Sequence, residues 1–335
     1  MIGLSIVIPV YKGANSIGPL VKELSKLEIE NGFEIILVND GSPDNSYQII
    51  KSLVEETTLP IISIDLARNF GEHNAVMAGL SVADGDYIIN IDDDFQNPPS
   101  EVKKLYDYAR VNSDLDVIYT FYAKKKHSFF RNLGSKFTNW AANFLLDKPK
   151  NLYLSSFRCI NRFTKDNIVS YVGPYPYMDG LILQTTQKIG SLLVEHKSRL
   201  GGESNYTFRR LIRLWTAMFV NFSVMPLRIS SLFGITTCFL GFIMALVTVI
   251  ERFTGDTPVG WTSLMAGLLI FSGVQLLILG MIGEYLGRLF LTVNGRPQFV
   301  IREIKQSKRK LNIRNDFREP LKKTIFFKNL YYRIL

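Results

Sequence analysis

Two long uncharged stretches in the second half of the chain constrain its fold more than any other feature. Residues 229–250 and 257–283 contain no Asp, Glu, Lys or Arg. Each stretch exceeds the roughly 20 apolar residues that a helix needs to cross a bilayer. The sequence therefore predicts two transmembrane helices, at about 229–250 and 261–283, that form a hairpin.

Charge is distributed unevenly around the predicted hairpin. The 335-residue chain has a net charge of +9, and residues 302–335 contain 11 Lys and Arg residues against 3 Asp and Glu residues. The loop at 251–260 has one Arg and two acids. Because cationic flanks stay on the cytoplasmic side, we expect a multi-pass protein of the inner (cytoplasmic) membrane with both flanks in the cytoplasm. The basic tail is expected to contact anionic lipid, and the hairpin accounts for its position better than nucleic-acid binding does.

The first hundred residues alternate between short apolar runs and segments with helical spacing. The predicted strands are 4–10, 33–38, 61–66 and 87–91, and the predicted helices are 15–27, 44–55 and 72–83. Such alternation is typical of an α/β domain whose parallel sheet is covered on both faces. Ligands bind beyond the carboxyl ends of the strands in such sheets. Asp40 and the acidic run 92–94 are both expected at those ends.

Three consecutive aspartates, Asp92, Asp93 and Asp94, follow the fourth predicted strand. Adjacent carboxylates repel one another, and a divalent cation can compensate them. Their hard oxygen atoms suit Mg²⁺ or Mn²⁺, and Mg²⁺ commonly bridges protein carboxylates and substrate phosphates. If extended backbone continues through this segment, Asp92, Asp94 and Gln96 point to one side and are the predicted metal ligands. A solvated acidic turn is the alternative.

Four sequence blocks, in order, carry a resemblance to a known enzyme family. They are SIVIPVYKGANSI, VNDGSPDNS, ARNFGEHNAVMAGL and IDDDFQNPP, all within residues 4–99. These blocks resemble those of family 2 glycosyltransferases, which have the GT-A fold. The later segments RLGGESNYTFRRLIRLW and GEYLGRLFLTVNGRPQFVIRE, with the hairpin between them, resemble polyprenyl-phosphate glycosyltransferases. That group includes dolichol-phosphate mannose synthases and bacterial undecaprenyl-phosphate sugar transferases.

The resemblance implies a GT-A, Rossmann-like α/β domain that binds a nucleotide sugar and is followed by the two-helix transmembrane hairpin. We assign residues 1–205 to a cytoplasmic catalytic domain and residues 206–228 to an amphipathic interfacial helix. Residues 229–283 form the hairpin, and residues 284–335 form a basic cytoplasmic tail. Small residues in the two spans can pack helices within one hairpin or between copies of a homo-oligomer.

On the nucleotide side, the resemblance implies that Pro9 and Tyr11 line the base, with the Tyr11 ring stacked on it. It implies that Asp40 hydrogen-bonds the base or the ribose. It also implies that Asp92 and Asp94 hold the cation on the diphosphate, with Gln96 beside them, and that Asp92 and Asp93 belong to the donor-binding site. The cation acts as a Lewis acid on the departing nucleoside diphosphate. Packing for Tyr11 and turn formation for Asp40 are the alternatives.

The chain departs from the family pattern directly after Tyr11. Family members often have an Asn-Glu pair at this point, whereas this chain has Lys12 and Gly13. The resemblance therefore leaves open how this turn frames the nucleotide base.

The acceptor side of such an enzyme needs positive charge close to the membrane. A polyprenyl phosphate is mostly dianionic at neutral pH, so it can attack the anomeric carbon without first losing a proton, and the protein's main task is positioning. Arg131 and Ser135 lie one helical turn apart and can face one phosphate. Arg199 precedes two glycines and Ser204, in a segment that can close over a diphosphate. Surface charge is the alternative for both arginines.

Asp179 has three interpretations from sequence alone. It precedes a helix-like stretch and can cap that helix, it can orient the sugar, or it can act as a general base. Arg158 also matches a family block, although the acidic residues found nearby in relatives are absent. His73 is expected to be structural or to contact substrate, because no second His or Cys has the spacing of a metal site.

The sequence thus favours an inverting, metal-dependent transfer of a sugar from a nucleotide diphosphate sugar to undecaprenyl phosphate or a similar polyprenyl phosphate. The product, a polyprenyl-phosphate sugar, would serve the modification of cell-envelope glycans. Two alternatives stay open: a membrane-anchored glycosyltransferase that elongates a saccharide, and a non-catalytic GT-A scaffold. The sequence alone does not identify the transferred sugar. It also does not determine whether the donor nucleotide contains uridine or guanosine.

Overall fold

A computed structural model describes residues 2–122, 152–195 and 260–307, together with isolated positions between 232 and 243. Outside these residues lie Arg131, Ser135, Arg199, Ser204, the predicted interfacial helix 206–228, most of the first uncharged stretch and the tail beyond 307.

Seven elements near the start of the chain alternate between strand and helix, as the sequence predicts. They are β1 (Leu4–Val10), α1 (Ile17–Leu24), β2 (Phe33–Asn39), α2 (Ser46–Glu56), β3 (Ile61–Leu66), α3 (Glu72–Val82) and β4 (Tyr87–Asn90). The described elements that follow are α4 (Pro99–Val111), β5 (Val117–Tyr122), β6 (Arg158–Asn161), α5 (Arg162–Val169), α6 (Met178–Thr185), β7 (Ile189–Val194), α7 (Trp261–Val293) and β8 (Ile301–Gln306).

The eight strands form one sheet in the order β7-β5-β6-β4-β1-β2-β3-β8. The four strands β4, β1, β2 and β3 run parallel, as the sequence predicts. The prediction of a parallel sheet is wrong for the whole sheet, because β6 runs antiparallel to β4 and β5 and β8 runs antiparallel to β3. The sheet is therefore mixed. Its antiparallel members come from parts of the chain where the strand–helix alternation has ended.

Both faces of the parallel strands are buried, which explains their nearly continuous apolar sequences. Along β1, Leu4, Ile6 and Ile8 point into the core beneath α1, α2 and α4. Val7 points to the opposite face, where it packs with α3 and α6. This alternation follows the two-residue period of a strand. The packing on both faces fixes the strand ends at which the candidate site lies.

The second uncharged stretch is a helix in the structure. Helix α7 spans 33 residues, and its part Phe271–Val293 is long and apolar enough to cross a membrane. Many of its apolar side chains, including Phe271, Leu279 and Leu286, are exposed. The other half of the predicted hairpin lies largely outside the described residues, so the hairpin stays a prediction.

The chain returns from α7 to the eight-stranded sheet. The sequence placed residues 284–335 in a basic tail, yet α7 continues to Val293 and Ile301–Gln306 form β8. Strand β8 pairs with β3, with Ile304 opposite Ile64. The Tyr47 hydroxyl in α2 donates to Glu303 Oε2 at 2.6 Å, which adds a side-chain contact to this pairing. The residues after α7 are therefore part of the α/β domain.

Candidate active site

Three neighbouring parallel strands end at one edge of the sheet. Strand β1 lies between β2 and β4, so the segments that follow these strands are adjacent. Tyr11 follows β1, Asp40 follows β2, and the acidic run 92–94 follows β4. Pro9 is partly buried within β1, and Tyr11 is 47% exposed, which leaves its ring available for stacking. This edge therefore holds most of the predicted donor-side residues that the structure describes.

The turn after β1 fits closely against the acidic run. Lys12 adopts a left-handed conformation with φ 60°, and the buried Gly13 follows it. A Cβ atom on Gly13 would overlap the carboxylate of Asp93. The backbone N–H groups of Lys12 and Gly13 donate to Ser42 Oγ at 3.2 Å and Ser46 Oγ at 2.9 Å. The structure therefore explains why glycine occupies position 13: the absence of a side chain lets Asp93 approach the end of β1.

Replacing Gly13 with Ala is expected to lower the free energy of unfolding by about 1–3 kcal/mol, because a buried methyl group must displace a carboxylate from a packed site. Thermal unfolding of the purified chain in detergent measures the change. Gly18→Ala is the matched control, since a Cβ atom on Gly18 in α1 would meet only Ile49 Cγ2, at 3.9 Å. Equal unfolding midpoints for the two variants would contradict the close fit between Gly13 and Asp93.

The acidic run turns away from the strand direction. Strand β4 ends at Asn90, and Phe95 has φ 59°, which is left-handed. The prediction that Asp92, Asp94 and Gln96 share one side of an extended segment is therefore wrong in its geometry. Asp94 Oδ1 instead accepts the backbone N–H of Gln96 at 3.1 Å within the turn.

Asp92 receives support from a residue that sequence reasoning missed. The Ser156 hydroxyl donates to Asp92 Oδ2 at 2.7 Å. Ser156 lies two residues before β6, which pairs with β4, so the antiparallel strand brings the hydroxyl to the acidic run. The local sequence around Ser156 carries no signal for this contact, because it depends on the pairing of distant strands.

The surroundings of Asp92 are strongly acidic. The pKa of Asp92 is raised to about 6, first by burial and then by the nearby carboxylates of Glu72 and Asp94, while the hydrogen bond from Ser156 opposes the rise. A cation between these carboxylates would offset the excess negative charge. Among the described residues, no group of three or more His, Cys, Asp or Glu side chains is arranged to hold a metal ion. A cation here would therefore need further oxygen ligands from outside that set, which is common for Mg²⁺ bound to substrate phosphates.

Asp40 braces the loop that leads into α3. Its Oδ1 accepts the backbone N–H of Phe70 at 2.7 Å, and its Oδ2 accepts that of Gly71 at 2.9 Å. Burial raises the pKa of Asp40, although both hydrogen bonds favour the charged form. Gly71 has φ 95°, a conformation that favours glycine. Asp40 therefore positions the start of α3, which carries Glu72 and His73.

A buried charge pair lies behind this edge. The guanidinium of Arg158 in β6 forms an ion pair with Asp179 Oδ1, and the Tyr119 hydroxyl donates to the same oxygen at 2.8 Å. Arg158 is 3% exposed and Asp179 is 8% exposed. The capping interpretation of Asp179 is wrong, since the N-cap of α6 is Tyr177 and Asp179 stands in the first turn. Its carboxylate is held by side chains from two strands.

Tyr177 joins this pair to the start of α3. The rings of His73 and Tyr177 meet edge to face, with 5.3 Å between their centroids. Burial lowers the pKa of His73 to about 4, so the imidazole is neutral at neutral pH. The expectation of a structural or substrate-contact role for His73 stays a prediction.

A cavity of about 260 Å³ lies beside the end of β2. It is lined by Asn39, Gly41, Ser42, Asp44, Tyr47, Gln48, Asp65, Leu66, Ala67, Arg68 and Arg302. Arg302 reaches it from β8, where the guanidinium donates to the carbonyl oxygen of Ala67 at 2.9 Å. Sequence reasoning missed Arg302, because more than two hundred residues separate it from β3. The mixture of carboxylate, guanidinium and hydroxyl groups can bind a ligand with both donors and acceptors.

Comparisons with known proteins agree along most of the chain. The family described as glycosyl transferase family 2 matches residues 5–168. An undecaprenyl-phosphate 4-deoxy-4-formamido-L-arabinose transferase of Pseudomonas fluorescens is 33% identical over 312 residues, which is 91% of this chain and 91% of the relative. The enzyme with the same name from Pectobacterium carotovorum is 33% identical over 309 residues, 90% of this chain and 93% of the relative.

Solved structures resemble the chain more distantly. Glucosyl-3-phosphoglycerate synthase from Mycobacterium tuberculosis, in complex with Mn²⁺, UDP-glucose and phosphoglyceric acid, has a TM-score of 0.48 and 16% identity. The match covers 65% of this chain and 79% of that structure. TarS from S. aureus, in complex with UDP-GlcNAc, has a TM-score of 0.45 and 19% identity, over 66% and 67% of the two chains. Similarity at this level supports no argument about ligands or individual residues.

Proposed function

The chain belongs to glycosyltransferase family 2, and we propose that it transfers a sugar from a nucleotide diphosphate sugar to undecaprenyl phosphate. The observation that carries the proposal is the 33% identity over 91% of the chain to enzymes named undecaprenyl-phosphate sugar transferases. At that coverage the match extends well beyond residues 5–168 and into the membrane helix. The polyprenyl-phosphate sugar that results would serve the modification of cell-envelope glycans.

The donor nucleotide is proposed to bind at the shared edge of β1, β2 and β4. The exposed ring of Tyr11 offers a surface for base stacking, with Pro9 beside it in β1. Asp40 is proposed to affect donor binding indirectly. Both of its carboxylate oxygen atoms accept backbone N–H groups, which fixes the loop before α3. The cavity that Arg302 and Asp65 line extends this edge and offers polar contacts to a nucleoside.

Asp92 and Asp94 are proposed to hold a divalent cation, Mg²⁺ or Mn²⁺, together with the donor diphosphate. The excess of carboxylates around Asp92 supports this role, because a cation relieves their mutual repulsion. When bound, such a cation supplies Lewis-acid stabilisation of the departing nucleoside diphosphate. Ser156 orients Asp92, and the packing of Asp93 against Gly13 holds the acidic turn next to the base-binding strand.

The transfer is proposed to be a single displacement with inversion. A phosphate oxygen of the acceptor forms a bond to the anomeric carbon while the bond from that carbon to the diphosphate breaks. Because the acceptor is already mostly dianionic, no proton needs to be removed. Asp179, which is held by Arg158 and Tyr119, therefore has an orienting role rather than that of a base. Arg131, Ser135, Arg199 and Ser204 are proposed phosphate and diphosphate ligands.

The location of the acceptor sets the location of the enzyme. Helix α7 has the length and composition of a membrane span, and an apolar polyprenyl chain lies in the bilayer. We propose that the catalytic domain faces the cytoplasm at the inner membrane, with the two-helix hairpin as its anchor. The basic tail would contact anionic lipid, and small residues in the spans would allow a homo-oligomer.

The proposal predicts metal-dependent transfer by the purified full chain in detergent. Undecaprenyl phosphate is incubated with radiolabelled UDP- and GDP-sugars, including the 4-deoxy-4-formamido-L-arabinose donors, and Mg²⁺ or Mn²⁺. Label is expected in the lipid phase from one donor, and EDTA is expected to abolish it because the carboxylates of Asp92 and Asp94 then lack their cation. Added metal should restore the transfer.

Undecaprenol, which has no phosphate, is the matched control acceptor and should remain unlabelled. Label found only in soluble saccharide would favour a membrane-anchored enzyme that elongates a glycan. Nucleotide binding without any transfer would favour the scaffold alternative. Transfer that persists in EDTA would contradict the role of the metal.

A further inference from the structure

Strand β8 contains a β-bulge where it meets the end of β3. Asp65 pairs with Glu303, but the next residue, Leu66, pairs with Ile301. Arg302 is therefore an extra residue between the two pairs. Such a bulge bends its strand and redirects the side chain of the extra residue, and bulges are common beside active sites. Here the Arg302 side chain lines the cavity beside the end of β2.

The Arg302 guanidinium is held at one of its nitrogen atoms. Nη2 donates to the carbonyl oxygen of Ala67 at 2.9 Å, while Nε lies 4.0 Å from Asp65 Oδ2, which is too far for a hydrogen bond. Among the residues that the structure describes, none accepts a hydrogen bond from Nη1 or Nε. Because the side chain is 66% exposed, these two nitrogen atoms can donate to a ligand.

Asp65 brings a carboxylate oxygen to the same cavity. The residue is 4% exposed, and its Oδ1 accepts the side-chain N–H of Asn39 at 2.7 Å. Its Oδ2 receives no hydrogen bond from any residue in the described part of the chain. A buried carboxylate oxygen needs a donor from water or a ligand. Asp65 Oδ2 and the Arg302 guanidinium, which we call the Asp65–Arg302 pair, thus offer one acceptor beside two donors.

The strand register puts the Asp65–Arg302 pair on the same sheet edge as the proposed donor site. Val10, the last residue of β1, is opposite Asn39, the last residue of β2, and Asn39 is opposite Asp65 in β3. Asp65 is thus two strands from the end of β1, or about 10 Å at the usual strand spacing. Ser42 in the cavity wall accepts the backbone N–H of Lys12 at 3.2 Å. The cavity therefore adjoins the turn that follows β1.

The order of the strands determines which part of a donor reaches the Asp65–Arg302 pair. The acidic run follows β4, and β4, β1, β2 and β3 are neighbours in that order. A diphosphate at the acidic run and a base stacked on Tyr11 lay the nucleotide along the sheet edge from β4 towards β2. The side of the base farthest from the diphosphate then points towards β3 and β8. That side carries the hydrogen-bonding groups of the base, and the pair faces it.

The number of available oxygen atoms favours uracil over the other bases. Uracil presents one N–H donor, at N3, beside the carbonyl oxygen O4, which matches one carboxylate oxygen beside a guanidinium. Guanine presents two adjacent donors, at N1 and N2, which call for two acceptor oxygen atoms. Asp65 offers one, because Asn39 holds Oδ1. Cytosine has no proton on N3 and an amino group in place of O4, so both of its groups oppose the pair.

We propose that the Asp65–Arg302 pair recognises the base of the donor nucleotide and selects uridine. Asp65 Oδ2 accepts the N3–H of uracil, and Arg302 donates to O4. The inference rests on the proposed function and identifies its donor as a uridine diphosphate sugar. Arg302 comes from the strand that follows α7, so the donor site is incomplete without that part of the chain.

The first test measures binding of UDP, CDP and GDP to the full chain in detergent by isothermal titration calorimetry. Wild type is expected to bind UDP at least about tenfold more tightly than CDP or GDP, the difference that one hydrogen bond to a charged group makes. Asp65→Asn keeps an oxygen for Asn39 but presents an N–H to the base. It should weaken UDP binding about tenfold without weakening CDP binding, because the amide can donate to N3 of cytosine.

The arginine is tested in the same assay. Arg302→Gln is expected to weaken UDP binding about tenfold and to leave CDP binding within about twofold, since cytosine has no O4. Arg302→Lys should recover part of the loss. Lys305→Gln is the matched control, because it removes a positive charge from the same strand, where Lys305 lies 3.7 Å from Glu55 and outside the cavity wall. All three affinities should stay within about twofold in this variant.

A purely structural role for the Asp65–Arg302 pair predicts a different result. Asp65→Asn and Arg302→Gln would then weaken UDP and CDP binding by equal factors, which would overturn the proposal. Equal affinity of wild type for UDP and GDP would overturn it as well. Thermal unfolding of each variant shows whether it is folded, and the exposed position of Arg302 keeps Arg302→Gln usable if Asp65→Asn does not fold.

The second test separates this proposal from the proposed function. With a UDP-sugar and undecaprenyl phosphate, both substitutions should raise the donor KM about tenfold with kcat nearly unchanged, because base contacts are alike in the ground state and the transition state. Uridine-selective binding that depends on the pair, without any transfer, would support the pair and contradict the proposed function. Transfer with a donor KM that neither substitution changes would do the reverse.

Discussion

Replacing Asp94 with Asn is expected to reduce sugar transfer by about 1,000-fold or more. A bound cation supplies several kcal/mol of transition-state stabilisation to the departing diphosphate, and each 1.4 kcal/mol is worth about tenfold in rate. Asn keeps the size of the side chain and its place in the acidic turn, so the change removes charge rather than shape. Initial rates of label transfer to undecaprenyl phosphate, measured over a range of Mn²⁺ concentrations, give the size of the effect.

The same variant separates catalysis from donor binding. Nucleotide binding measured without metal should change by less than about threefold, because the proposed base contacts lie at the end of β1 rather than on Asp94. Asp107→Asn is the matched control: Asp107 is an exposed acid in α4 whose nearest cation is Lys103, at 3.5 Å. Activity of Asp94→Asn within tenfold of wild type at saturating metal would refute the role of Asp94 as a ligand.

The parallel strands were predictable because short stretches of sequence are enough to identify each of them. Continuous apolar runs mark strands that are buried on both faces, and each observed strand from β1 to β4 begins at the predicted residue and ends within one residue of the prediction. Strand β8 was not predictable in this way. Its sequence, IREIKQ, places Ile301 and Ile304 three residues apart rather than two, so it lacks the alternation of a half-buried strand. It becomes a strand because β3 offers an unpaired edge.

The candidate site was predictable in composition but not in geometry. An acidic run at a strand end and Asp40 at the next strand end follow from the topology of parallel sheets. The extended backbone on which the ligand grouping depended is absent because the left-handed Phe95 belongs to a turn, and few residues other than glycine adopt that conformation. The contacts of Asp92 with Ser156 and of Asp179 with Arg158 depend on β6. Strand β6 reaches its place through antiparallel pairing with β4, which no local pattern reveals.

Breaking the buried pair between Arg158 and Asp179 is expected to be the most destabilising change in the catalytic domain. Removing one partner leaves the other charge buried, which costs about 3–5 kcal/mol. Arg158→Met is therefore expected to lower the free energy of unfolding by that amount, because Asp179 would lose its counter-charge and keep only neutral donors such as the Tyr119 hydroxyl. Denaturant unfolding of the full chain in detergent measures the loss.

The double variant Arg158→Met with Asp179→Leu tests whether charge pairing is the cause. Apolar residues in both places leave no buried charge, so the double variant should recover most of the stability that either single variant loses. Losses that simply add would contradict a direct interaction between the two side chains. The pair joins β6 to the first turn of α6, directly after the segment that carries Tyr175 and Tyr177.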